Sequence, residues 1–320
     1  MNKVLKTSRH VTKRIQQVTI DKQALVDFLR KLIEDGIEIP SWNYDYHFFD
    51  GGHKTVAYLL ILDSINFCFW PNPGAEKWEV QYKSETLSGY YALAASLKKA
   101  IESGISITDA HYLSELNLST LKQILGGKGE LQLMEERIRI LNELGAFLIC
   151  RYNGEANRLV EAAENSTLKL VELLVENLHS FRDEAEYYDT KIYFYKRAQI
   201  FAADLYGAFA GKDWGFFKDI DNLTAFADYK LPQVLRHVGV FQYSPSLEHK
   251  VDNNILLDPG SPEEIEIRAN TIWAVELIRL QLKRMGRNLR AFEIDWILWN
   301  LGQQRKFKEK PYHRTVTIYY

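Results

Sequence analysis

The chain has 320 residues, and its 46 % hydrophobic and 26 % charged content is that of an ordinary globular protein with a sizeable buried core. A formal net charge of −2 and a pI near 6.5 lack the basic footprint that long nucleic acids select, so no stable nucleic-acid partner is expected. No apolar run reaches the roughly 20 residues of a membrane helix; the best, Val56 to Trp70, is broken by Asp63, Ser64 and Asn66.

Met1 to Gln17 is basic and free of acidic residues, as a mitochondrial presequence can be, but it has few arginines and runs directly into a helix signal. Cys68 and Cys150 form no CxxC pair and fit a reducing compartment, so a soluble, cytoplasmic protein is expected. Asp21 reads as the cap of the first helix, with Leu25, Phe28, Leu29 and Leu32 on one face and Gly36 at its end. Trp78 to Tyr82 alternates as a strand ahead of a Ser-Glu-Thr turn, and Gly126 and Gly127 close a helix that begins near Ser119. Helical spacing returns at Ile138, Leu141, Leu144 and Leu148, then at Leu170, Leu173, Leu174 and Leu178. Ser261-Pro262-Glu263-Glu264 spells a full capping box ahead of a long helix through about Lys283, and β-branched Thr315 to Tyr319 predicts a last strand. The fold class is mainly α with a small β-hairpin or ribbon. No linker or repeat cuts the chain, so a single domain over residues 1–320 is the default.

Four segments put polar groups where periodicity predicts core. Leu62 to Trp70, preceded by Tyr46-His47-Phe48, offers aromatic faces for a flat base and Asn66 for its edge; a buried aromatic helix end broken by Pro71 explains it equally. Phe226-Ala227-Asp228-Tyr229-Lys230-Leu231-Pro232 puts Asp228 on a turn entering a helix, as a catalytic carboxylate or simply as a cap. Lys196 shares a face with Gln199, Ile200 and Ala203, which suits a phosphate contact, a buried carboxylate partner or a snorkelling surface lysine. In the late helices Asp295 lies close to the core face of Ile294, Ile297 and Leu298, as counterion to a ligand cation or as an ion-pair partner of Arg268 or Arg290. The chain has no P-loop, GxGxxG, GxSxG or HExxH, and its histidines lack metal-ligand spacing.

The ordered set NFCFW, LSGYYAL, YKRAQI, FADYKLPQ, IWAVEL and IDWILW, followed by YHRT, resembles the queuosine salvage protein family over nearly the whole chain. The resemblance implies a helical fold related to helix-hairpin-helix DNA glycosylases, with no metal or organic cofactor. It further implies hydrolysis of queuosine 5′-monophosphate to queuine and ribose 5-phosphate. Carried over by position, the catalytic aspartate falls on Asp228 and the lysine near the sugar phosphate on Lys196. The base contacts fall on His47, Phe226, Asp295, Trp296 and Asn300, although the family often has tyrosine where Trp296 stands and aspartate where Asn300 stands. Lys196 beside Asp228 would favour its charged form, while Tyr229, Lys230 and Arg236 are further substrate contacts by proximity in sequence. Two rival readings are a DNA or RNA base glycosylase, suggested by the glycine turn in Leu116 to Gly129, and a helical interaction protein without catalysis.

Overall fold

The computed structural model describes residues 2–320. Its N-terminal segment carries helix α1 (Lys3–Val11), strand β1 (Val18–Ile20) and helix α2 (Lys22–Glu34). Then come α3 (His53–Ser64), the hairpin strands β2 (Glu79–Tyr82) and β3 (Glu85–Ser88), α4 (Tyr90–Glu102), α5 (Ala110–Glu115) and α6 (Leu118–Leu125). They are followed by α7 (Met134–Tyr152), α8 (Ala156–Ala162), α9 (Thr167–Asn177), a second hairpin of β4 (Glu184–Tyr187) and β5 (Thr190–Tyr193), and α10 (Lys196–Ala208). The last part holds α11 (Lys230–His237), β6 (Phe241–Tyr243), α12 (Pro245–Asp252), α13 (Pro262–Arg284) and α14 (Ala291–Leu301). The fold is mainly α, as the periodicity predicts. None of the described helices is long and apolar enough to cross a membrane.

The chain divides into two compact units: unit 1 from Met1–Ser41, Asp183–Gln199 and Asp221–Thr317, unit 2 from Trp42–Arg182, Ile200–Ile220 and Ile318–Tyr320. Unit 1 is organised on α13, a helix of 23 residues. Every residue from Glu264 to Ile272 in it is buried, so it lacks the one-sided stripe of a surface helix. Its apolar positions Ile267, Ala274, Val275, Ile278 and Leu282 join Leu25 and Leu29 of α2, Leu231, Val234 and Leu235 of α11, and Ile294 and Leu298 of α14 in one core. Strand β1 pairs antiparallel with β6, Val18 opposite Tyr243 and Ile20 opposite Phe241. Unit 2 packs α3 against α4, α7 and α8, and α3 is buried on all sides from Thr55 to Ser64. Helix α10 belongs to unit 1 through Gln199 and to unit 2 beyond it.

Several boundaries match the sequence signals. Asp21 caps α2 by accepting from the Gln23 and Ala24 amides, and Gly36 follows that helix at φ +87°. Helix α6 stops at Gly126, and β2 pairs with β3 as a hairpin, although its turn is Lys83-Ser84 and not Ser-Glu-Thr, since Glu85 and Thr86 already pair in β3. Other expectations are corrected. The first helix is α1, not the one capped by Asp21; it buries only Val4, Ser8 and Val11, too thin an apolar stripe to read in sequence. The capping box at α13 is half formed: Ser261 Oγ accepts from the Glu264 amide, but Glu264 reaches the Gly260 amide instead of the cap residue. Thr315 to Tyr319 forms no strand, because no neighbouring segment supplies a ladder. Thr315 and Thr317 are buried in chain without regular structure, and the bridge beside this stretch is Arg314 to Leu256.

Candidate active site

Leu223 to Asp228 runs through unit 1 as buried chain without regular structure, a stretch whose backbone groups need partners from side chains. Gln199 Oε1 accepts from the Thr224 amide at 3.0 Å, Asp295 Oδ2 accepts from the Phe226 amide at 2.8 Å, and Arg268 Nε donates to the Ala227 carbonyl at 3.1 Å. Asp228 ends the stretch. Its Oδ1 accepts from the Lys230 and Leu231 amides at 2.7 and 3.0 Å, which starts α11. Pro232 falls inside the first turn, where its missing N–H leaves no intrahelical bond unmade. Among the described residues no hydrogen bond reaches Asp228 Oδ2, and Asp228 makes no ion pair; the residue is 8 % exposed. A carboxylate with one oxygen anchored and one open suits a neighbouring group that develops positive charge.

Lys196 is the first residue of α10 and is buried. Its amide donates to Asp183 Oδ2 at 3.1 Å. The same carboxylate accepts from both terminal nitrogens of Arg268, at 2.8 and 2.6 Å, and Arg268 also lies 3.5 Å from Glu264 and over the Phe194 ring. Gln199, one turn into α10, donates to the Phe194 carbonyl while holding Thr224. Burial and the positive charge of Arg268 push the imidazole of His313 down to about 3, so it is neutral at physiological pH.

The other expected residues take definite partners. Tyr229 packs on Tyr312 with ring centroids 4.8 Å apart, and Lys230 Nζ bonds Gln233 Oε1 at 2.9 Å. Arg236 sits at the far end of α11 from Asp228 with its guanidinium on Asp252 and Glu248, at 2.6 and 2.9 Å. On α14, Trp296 meets Phe292 edge-on at 5.1 Å, and Asn300 Nδ2 donates to the Trp296 carbonyl at 2.8 Å. Of the arginines weighed beside Asp295, Arg268 binds Asp183, and Arg290 binds Asp221 and Glu293.

Unit 1 therefore gathers all the expected residues except His47 and Asn66, which belong to unit 2. His47 is buried among Trp42, Tyr58 and Tyr90, with Nδ1 at 3.1 Å from the Tyr58 hydroxyl. Desolvation first, and Lys98 second, lower its pKa to about 3. Tyr90 donates to Asp204 at 3.1 Å, and burial raises the pKa of Tyr58 and Tyr90 well above that of a free tyrosine. Asn66 lies in the buried loop after α3, which turns through Cys68 at φ +46°. Arg137 of α7 supports this loop, donating to the carbonyls of Ile65, Phe67 and Cys68. Sequence reasoning missed Arg137 and Asp183 because each stands in a charged or mixed stretch that reads as solvent-facing, and Asp204 because the apolar run from Phe201 to Tyr206 around it reads simply as core helix. Among the described residues no group of three or more His, Cys, Asp and Glu side chains could hold a metal ion.

A family model described as the queuosine salvage protein matches residues 46–320, and the chain belongs to that family. A protein of Sphaerobacter thermophilus named queuosine 5′-phosphate N-glycosylase/hydrolase is 44 % identical over 317 residues, spanning 99 % of this chain and 97 % of that one. Proteins of the same name are 37 % identical in Dictyostelium discoideum, over 98 % of this chain and 95 % of theirs, and 39 % identical in Mus musculus, over 83 % and 82 %.

Proposed function

We propose that residues 1–320 act as one N-glycosylase domain that hydrolyses queuosine 5′-phosphate to queuine and ribose 5-phosphate. Membership of a family whose relatives carry that activity in their names supports the reaction. The observation that carries the choice of residue is the open Oδ2 of Asp228 at the end of a buried segment that side chains hold at Thr224, Phe226 and Ala227. As the bond between the sugar carbon and the base nitrogen breaks, its electron pair leaves with the base and the sugar approaches an oxocarbenium ion. Asp228 Oδ2 faces that charge; water adds to the sugar carbon, and its proton passes to the departing base.

Queuine is a 7-deazapurine and lacks the ring nitrogen that ordinary purine hydrolases protonate. Stacking by Phe226 and Trp296 and hydrogen bonds at the base edge stabilise the leaving group instead. Lys196 serves the 5′-phosphate, assisted by Lys230. Asp295 answers the secondary ammonium of the queuine side chain, and Asn300 its hydroxyls. Arg236 would reach the substrate only by giving up Glu248 or Asp252, the two carboxylates that hold it. Tyr229, packed on Tyr312 beside Asp228 in the chain, is a further substrate contact in this reading. A relationship to helix-hairpin-helix glycosylases is part of this proposal, supported by the run of α6, the Gly126–Gly129 turn and α7.

The test is incubation of the purified protein with queuosine 5′-monophosphate, following queuine by mass spectrometry, with Asp228→Asn alongside. Release by the wild type and its near-total loss in the variant is the expected result. No release by the wild type sinks the reaction; an active variant moves the search for the carboxylate to Asp295.

A further inference from the structure

We infer that Asp183 and Arg268 form a positioning pair that sets the separation between Lys196 and Asp228, an inference resting on the roles proposed above for those two residues. Each partner grips the backbone beside one of them. Asp183 Oδ2 accepts from the Lys196 amide at 3.1 Å, and Arg268 Nε donates to the carbonyl of Ala227, the neighbour of Asp228, also at 3.1 Å. Two bonds between carboxylate and guanidinium, 2.8 and 2.6 Å long, close the bridge. Both side chains are buried, at 3 and 2 % exposure.

The bridge is held from several directions. Tyr195, just before Lys196, has φ +50°, a left-handed conformation that a large side chain rarely adopts. It persists because the Asp183 carbonyl accepts its amide at 3.2 Å and Glu184 accepts its hydroxyl at 2.7 Å. The Phe194 ring lies 3.9 Å from the Arg268 guanidinium and fixes its plane. A buried ion pair is a poor way to stabilise a core, because desolvation offsets most of its attraction. A forked, planar donor is a good way to fix the orientation of two segments that carry reacting groups.

Arg268→Lys keeps the charge, but a single ammonium cannot hold both Asp183 oxygens and the Ala227 carbonyl. Asp183→Asn keeps an acceptor for the Lys196 amide and loses the charge. Both variants are expected to fold with wild-type far-UV circular dichroism, the Gln199–Thr224 bond still joining the two segments. On queuosine 5′-phosphate we expect kcat to fall roughly 10- to 100-fold with KM within about threefold. Without substrate, hydrogen exchange should accelerate together at residues 196–199 and 226–231 in both variants. In a Lys196→Ala background Arg268→Lys should cost less than about threefold in kcat, since its effect passes through Lys196. Unchanged exchange at the two segments, full kcat in a folded variant, or an undiminished kcat loss in the Lys196→Ala background would each overturn the pairing. Failure of both variants to fold would do the same, making the pair a core contact. A wild type that releases no base, with the coupled exchange intact, sinks the reaction and leaves the pairing supported.

Discussion

Asp228 uses its two oxygens differently: Oδ1 binds the amides that begin α11, while Oδ2 has no bonded partner among the described residues. The two functions should separate by substitution. Asp228→Asn retains an oxygen for the Lys230 and Leu231 amides, so it should melt near the wild type while queuine release falls by about 10²-fold or more. Asp228→Ala should lose the activity and about 1 kcal/mol of stability as well, seen as a lower denaturant midpoint. The buried histidines make a second prediction. His47 and His313 titrate near 3 in the fold against an ordinary value of 6.5, so below pH 6.5 the unfolded chain binds protons that the native one refuses. Their contribution is intact above pH 6.5 and drains away as pH falls toward 3, at up to about 1.4 kcal/mol per pH unit for each imidazole. Thermal melts between pH 7 and 4 should therefore fall more steeply in the wild type than in His47→Gln. Equal slopes would mean that His47 is accessible to protons in the native state.

At the scale of elements, legibility depended on whether the signal is local. The cap at Asp21, the Ser261-Pro262 start of α13 and the Gly126 stop of α6 are each written within four residues, and they appear in the structure. Strand β1 pairs with β6, far along the chain, and neither is long enough for alternation to register. Helix α7 shows a partial reading: Leu141, Leu144 and Leu148 are buried as expected, but Ile138 is only half-buried, and the face also includes Arg137 and Ile140. An arginine at a core position contradicts periodicity until its carbonyl acceptors are known. The same holds for the site. Asp228 and Lys196 could be picked out by their neighbours and by resemblance, whereas Asp183 depends on Arg268, whose position no local pattern specifies. Gly145 is another residue whose role only the packing reveals. A Cβ there would meet the Ser114 amide at 2.5 Å and the Ala110 carbonyl at 2.6 Å, so its bare backbone lets α7 approach α5 closely. Gly145→Ala should cost about 1–3 kcal/mol in denaturant melts, although alanine is the better helix former.

For the whole molecule, the N-terminal segment deserves weight beyond its place before the matched residues 46–320. Helix α1 packs on α13, β1 pairs with β6, and Glu266 of α13 accepts from the amides of Gln16, Gln17 and Val18 as well as from the Tyr187 hydroxyl. Deleting residues 2–41 strips that buried carboxylate of its backbone donors and uncovers the core face of α13. The expected outcome is a chain with a lost or much lowered melting transition and no queuine release; a truncated protein that melts like the full chain would show that unit 1 holds without its first segment.

Because unit 1 starts with the first residues and closes only near Thr317, its assembly waits on the ribosome. Val18 is made long before Tyr243, the residue it pairs with. At ordinary rates of synthesis the nascent β1 spends roughly 10 to 50 s without its partner strand. A strand of three residues is a poor template for mispairing during that interval. The segment bearing Asp228 gains Arg268 and Asp295 as supports later still, so this buried stretch is among the last parts of unit 1 to be set in place during its making.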